Sequence, residues 1–204
     1  MSNELLQHPY AQTIWGLLMK EFGNEYGVAA LMGNLQAESG LYPDRVQGDI
    51  PYSDYSKTYT ANVDSGAISE YDFVHNGPNG GGYGLAQWTY YTRKQRLYNL
   101  WKHEGYPSIG SVDLACTLLI TELRDSYPNI YSTLKSCDNI RTASDMVLHD
   151  FENPADQSES VEELRESLGK AIYSAFTGTG GSSTTKKPRR LSKLLLYSIA
   201  IDDF

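Results

Sequence analysis

"EYGVAALMGNLQAESGLYPD", residues 25–44, carries Val28, Leu31 and Leu35 at three- and four-residue steps, with Gly40 placed to break a helix. The spacing predicts a helix over about residues 25–38 with one apolar face. Glu38 stands three residues past Leu35, within about 60° of it on the helical wheel, so it looks towards the core side. Partial desolvation disfavours the ionised carboxylate there, and the negative end of the helix dipole disfavours it again. A carboxyl that keeps its proton near neutral pH is what a general acid requires.

A second stretch gives that acid something to act on. "GGGYGLAQWTYYTRKQ", residues 80–95, sets a tight glycine turn before Gln87, Trp88, Tyr90 and Tyr91. Aromatic faces stack on the apolar faces of pyranose rings, and an amide side chain both donates to and accepts from hydroxyl and N-acetyl groups. Tyr83, Gln87, Trp88 and Tyr90 are therefore the candidate substrate-binding residues, and with Glu38 as catalytic acid they make a glycosidase site. Other chemistries find little support. The glycine run lacks the Lys and Ser/Thr of a phosphate loop, and His8, His75, His103 and His149 have no ligand spacing. Cys116 and Cys137 read as free thiols. No metal and no cofactor are expected.

Around these two stretches the chain reads as mainly helical. Ile14, Leu17, Leu18 and Phe22 mark a helix closed by Gly23. Others follow Thr92, ending at Gly105, and Ser111, ending before Pro128. Thr142 with Asp145, and Ser160 with Glu163, have capping-box spacing. Val161, Leu164, Leu168, Ile172 and Ala175 make an inward stripe on the last helix. Residues between Glu38 and Gly84 form a small irregular or β-containing lobe, in which Tyr55, Tyr59 and Val63 lean towards a short helix over a hairpin.

With 204 residues, the chain suits one domain with appendages. The domain is expected over 1–177, a Gly/Ser/Thr-rich and basic linker over 178–190, and a short apolar tail or the start of a further module over 191–204. The tail after residue 176 holds Lys186, Lys187, Arg189, Arg190 and Lys193 against Asp202 and Asp203, so a chain of net charge −8 has a body of −11. An acidic body argues against nucleic acid as the main partner. No stretch is long enough to span a membrane, and the N-terminus has no secretory-signal pattern. Sixteen tyrosines suit a wet, sugar-stacking surface as well as half-buried packing.

"AESGLYPD" (37–44) followed by "GYGLAQWT" (82–89) resembles the glutamate-bearing helix and Gly-Leu-x-Gln segment of lysozyme-like folds, and most closely the phage tail-tip lysozyme family. "GNLQAES" (33–39), "GYGLAQW" (82–88) and "HDFENPADQS" (149–158) are similar to that family's segments in order, over about residues 10–176. The resemblance implies a mainly α, lysozyme-like domain that is bacteriolytic, cleaving the β-1,4 bond between N-acetylmuramic acid and N-acetylglucosamine in peptidoglycan. It implies Glu38 as the general acid, Gln87 and Trp88 as cleft residues, and for Glu152 either substrate contact or a structural hydrogen bond.

Hydrolysis with two carboxylates calls for a partner about 5 Å from Glu38, or roughly 6.5–9.5 Å away. Asp44, Asp49, Asp54 and Asp64 are the candidates. Without one, the muramoyl 6-hydroxyl attacks C1 and the enzyme is a lytic transglycosylase. A non-catalytic wall-binding or tail protein is the competing class. An acidic body is repelled by anionic cell walls, so phage tail proteins or a wall-binding module are expected to bring the domain to its substrate. The expected setting is virion-associated, or release from the host cytoplasm onto the wall.

Overall fold

The computed structural model describes residues 2–78 and 81–178, and the structural statements concern those residues. The chain runs α1 (Ser2–Gln7), α2 (Ala11–Phe22), α3 (Glu25–Ser39), α4 (Asp54–Asp64) and a π-helical turn (Asp72–Asn76). It continues α5 (Tyr91–Glu104), α6 (Val112–Ser126), α7 (Pro128–Ser136), α8 (Ile140–Met146), a second π-helical turn (Val147–Glu152) and α9 (Glu159–Thr177). The expected linker at 178–190 and tail at 191–204 lie outside the described residues, apart from Gly178, which closes α9. Among the described residues no helix is long and apolar enough to cross a membrane.

The expected single apolar face of α3 is corrected: Gly27 to Leu35 are buried without interruption. Its small residues make this possible, because helices can close on it from every side. A Cβ on Gly27 would lie 2.0 Å from the Leu134 carbonyl oxygen of α7, and one on Gly33 would lie 2.6 Å from the Gly169 nitrogen of α9. Within this core Asn34 is kept hydrogen-bonded, its Nδ2 donating to Ala30 O (3.0 Å) and Ser144 Oγ (3.1 Å). Asn24 caps the start of α3, its side chain accepting from Tyr26 N (3.2 Å). At the other end Gly40 (φ 64°) and Leu41 (φ 65°) are both left-handed, which turns the chain away from the helix one residue past Ser39.

The inward stripe expected on α9 holds at Ile172 and at Ala175, which packs on the core, and is corrected at Leu164. Arg165, Gly169 and Ile172 are its buried residues, and Leu164 is exposed. The face is chosen by close approach to α3 and by an arginine that finds acidic partners, neither of which apolar counting detects. Both expected capping boxes move as well. Asn139 caps α8 by accepting from Thr142 N (2.9 Å), and Ser158 stands at the N-cap of α9. Pro128 begins α7, where its missing N–H costs nothing, as well as following the end of α6.

The lobe between α3 and the glycine-rich loop holds α4 and irregular backbone, so the helical reading of Tyr55, Tyr59 and Val63 is the one observed. Among the described residues its β character is confined to isolated pairs, Val46 with Tyr83 and Tyr83 with Trp88.

Gly27→Ala is expected to lower unfolding stability by about 1–3 kcal/mol or more, since the added methyl meets backbone that cannot yield. Gly16→Ala is the control: its Cβ would meet nothing within 4 Å on an exposed stretch of α2, and a gain of about 0.5–1 kcal/mol follows from helix propensity. Urea denaturation of both variants reads the pair.

Candidate active site

One cleft collects the end of α3 (Glu38), the segment after it (Arg45, Gln47), the glycine-rich loop with the start of α5 (Gln87, Tyr90, Arg93), and the segment before α9 (Glu152, Pro154). The C-terminal end of α3 leaves carbonyls without helical partners. Arg45 answers one of them: Nη1 donates to Ser39 O (3.0 Å) while Nη2 donates to Asp49 O (2.9 Å). A cation at a helix C-terminus is favourable, and this one also ties the cleft wall to the helix end.

The glycine-rich loop forms the facing wall by pairing back on residues 45–47. Gln47 N donates to Gly82 O (2.9 Å) and Gly84 N donates to Arg45 O (2.8 Å). A Cβ on Gly82 would lie 2.7 Å from Gln87 O, so only glycine fits the doubled chain. Gln87 itself has φ 46°, a left-handed value uncommon outside glycine. Its Nε2 donates to Gly84 O (2.9 Å) and Arg45 O (3.0 Å), which holds the turn and leaves Oε1 as the polar atom not engaged by those bonds.

Beneath the loop lies a charged support. Trp88 Nε1 donates to Glu122 Oε2 (2.8 Å), and Arg93 makes a two-pronged pair with the same carboxylate (2.8 and 2.9 Å). The Arg93 guanidinium in turn lies over the Phe151 ring, 4.8 Å from its centre. Phe151 belongs to the π-helical turn, whose wide winding closes with Asn153 N donating to Leu148 O (2.8 Å). That winding delivers Glu152 to the cleft floor.

There Glu152 meets Glu38. Arg165 binds both: Nη2 donates to Glu38 Oε1 (2.5 Å), and Nη1 lies 3.2 Å from Glu152 Oε2 while donating to Asn34 O (2.6 Å). The Glu38 side chain retains 23% of its exposure, and Glu152 only 4%. Burial, and then the adjacent Glu38 charge, push the Glu152 carboxyl well above the ordinary glutamate range, with Arg165 and Arg93 pulling the other way. The two carboxyls are thus held side by side on the two terminal nitrogens of one guanidinium.

Of the expected sugar-contact residues, Gln87 and Tyr90 line the cleft, and Tyr90 is 73% exposed. Tyr83 and Trp88 are corrected to core positions: both are fully buried, and the Tyr83 hydroxyl is hydrogen-bonded to Thr60 Oγ1 (2.7 Å). Neither ring offers a face to a sugar.

None of the four candidate aspartates is among the residues lining the cleft. Asp44 is buried against Tyr52, whose hydroxyl donates to it (2.8 Å); burial raises its carboxyl, and that bond opposes the rise. Burial also acts to raise Asp49, but hydrogen bonds from Ser53 and Ser56 hold it down to about 2. Asp54 pairs with Lys57, and Asp64 accepts from Ile109 N (2.8 Å). Sequence reasoning missed Arg45, Arg93, Glu122 and Arg165. For Arg165 the signal was available, because Arg165, Gly169 and Ile172 share one helical face.

The helical fold and acid-bearing cleft define a lysozyme-like domain. The sequence profile described as phage tail lysozyme matches residues 9–176, and the chain belongs to that family. No curated protein and no solved structure matches the chain. Family membership makes this a lysozyme-like protein of the phage-tail type, with bacterial peptidoglycan as its substrate class.

Two outcomes follow from the site. Trp88→Phe, which removes a donor to the buried Glu122, is expected to cost about 1.5–3 kcal/mol in thermal or urea unfolding. Folded Glu152 holds its proton to higher pH than the unfolded chain does, so unfolding releases a proton and stability falls as pH rises above the ordinary glutamate range. The limiting slope is about 1.4 kcal/mol per pH unit. Glu152→Gln should flatten that slope.

Proposed function

We propose that the protein is an N-acetylmuramidase that cleaves the β-1,4 bond between N-acetylmuramic acid and N-acetylglucosamine, with Glu38 as the general acid. The observation that carries the reading is the place of Glu38: at the end of the buried α3, in the cleft, and the more exposed of the two carboxyls on its floor. A proton donor must reach the leaving oxygen, and Glu38 is the carboxyl with surface to do so. Gln87 Oε1 and the exposed face of Tyr90 are the sugar-contacting groups. Trp88 and Tyr83 act beneath them by holding the loop.

One observation favours a second reading, the lytic transglycosylase. Among the described residues lining the cleft, Glu38 and Glu152 are the carboxylates, and both are held on the one Arg165 guanidinium instead of facing each other across a scissile bond. In that reaction the muramoyl 6-hydroxyl replaces water as the nucleophile, so no second carboxylate is needed to position water. The acidic body fits delivery by attachment to a phage tail or by a wall-binding module beyond the linker at 178–190, because a body of −11 gains nothing from free diffusion onto an anionic wall.

Clearing of purified peptidoglycan tests the assignment. Glu38→Gln is expected to lower the rate by about 10²–10⁴-fold with the fold intact. Equal clearing by parent and variant removes Glu38 as the acid, and no clearing by either supports the wall-binding alternative. Mass spectrometry of the products separates the two reactions, since reducing ends mark a muramidase and 1,6-anhydro ends a transglycosylase.

A further inference from the structure

Glu152 is enclosed, and among the described residues neither of its oxygens accepts a hydrogen bond from an N–H or O–H group. The charged groups facing it are Glu38 from α3, Arg165 from α9 and Arg93 from α5. Arg165 Nη1 lies 3.2 Å from Oε2 as an ion pair outside hydrogen-bond geometry, while one of its two protons goes to Asn34 O. Arg93 is committed to Glu122 through two hydrogen bonds. A carboxylate in that position would be a buried anion that accepts no hydrogen bond and stands beside a second carboxyl on the same guanidinium, which disfavours its ionised form. A single proton lying between the two carboxyls removes the difficulty, as it does wherever two carboxyls share a site.

We propose that Glu152 is a positioning residue that stores the catalytic proton: held beside Glu38 by Arg165, it shares one proton with Glu38 and returns it for each cleavage. The proposal rests on Glu38 being the general acid. In the reaction the shared proton passes through Glu38 to the glycosidic oxygen as the C1–O bond breaks and its electron pair goes to that oxygen. The nucleophile, water or the muramoyl 6-hydroxyl, bonds to C1 and gives up a proton to the pair, which restores the starting state. With Arg165 included, the cluster changes from neutral to −1 as positive charge develops on the sugar. The two changes are of opposite sign and close together, so the transition state gains more than the ground state does.

The same arrangement explains how an acid in direct contact with an arginine stays usable. A cation beside a lone carboxyl favours its ionised form, whereas a second carboxyl on the other side restores the need for a proton.

The test is the pH dependence of kcat/KM on soluble peptidoglycan fragments for the full chain and for Glu152→Gln, with circular dichroism confirming the fold. Glutamine keeps the shape and removes the stored proton. The expected result is an alkaline limb displaced towards acid pH by at least one unit, hence at least a tenfold loss at the pH where the parent's limb begins. A folded variant whose limb stays in place overturns the proposal, because a structural role would leave the limb unmoved. If Glu152→Gln does not fold, carbon-13 titration of glutamate carboxyls in the parent decides. A Glu152 signal still protonated at neutral pH, and titrating lower in Glu38→Gln, supports shared storage; one titrating in the ordinary range overturns it. Failure of the underlying reading is seen separately, as retained activity in Glu38→Gln.

Discussion

The Arg165 guanidinium joins two parts of the chain that are distant in sequence: the end of α3, through the Asn34 carbonyl and the Glu38 carboxyl, and the end of the second π-helical turn, through the Glu152 carboxyl. A buried cation needs compensating partners, and taking one away leaves charge without solvent, at about 3–5 kcal/mol. The rest of the architecture serves this junction. α9 can bring Arg165 close only because Gly33 and Gly169 let the two helices meet backbone to backbone, with a Cβ on Gly33 falling 2.8 Å from the Arg165 carbonyl. The interhelical contact and the ion cluster therefore stand or fall together, which ties the stability of the core to the geometry of the cleft.

Much of the fold was legible because periodicity and breakers act locally. α2 closed by Gly23, α5 closed by Gly105 and the end of α3 at Gly40 follow from apolar spacing and left-handed glycines. The misreadings share one cause. In α3 and α9 the residues that decide burial are glycines and an arginine, and an apolar count scores these as surface. Glu38 was legible as an acid at a helix end. Its partner was not, because Glu152 and Arg165 reach it across 114 and 127 residues of chain, and nothing local marks such a meeting. The aspartates nearest in sequence were the natural candidates, but Asp44, Asp49 and Asp54 are satisfied within the lobe that carries them and Asp64 by Ile109 N.

The aromatic residues divide in the same way. Several of the tyrosines pack on other rings of the protein, Tyr42 stacked on Tyr52, Tyr26 on Tyr173, and the buried Tyr83 edge-on to Phe73. Trp88, which the motif places next to Gln87, supports that residue from beneath by anchoring on Glu122. A conspicuous aromatic beside a glycine turn thus has two readings, platform or foundation, and burial separates them. Tyr90, two residues on, is the one left facing the cleft.

The π-helical turn over Val147–Glu152 gives the site a dependence on arithmetic. Its closing bond spans five residues where an α-helix spans four, so the turn accommodates more chain than the helix it continues. Letting the same residues run on from α8 in α geometry would keep the side-chain chemistry of the segment but rotate the Glu152 position by about 100° about the axis. The carboxyl would then point away from Glu38. In this protein the winding of the turn between α8 and α9 works as an aiming device, so a change there that restores α geometry acts on the cleft as directly as a substitution within it.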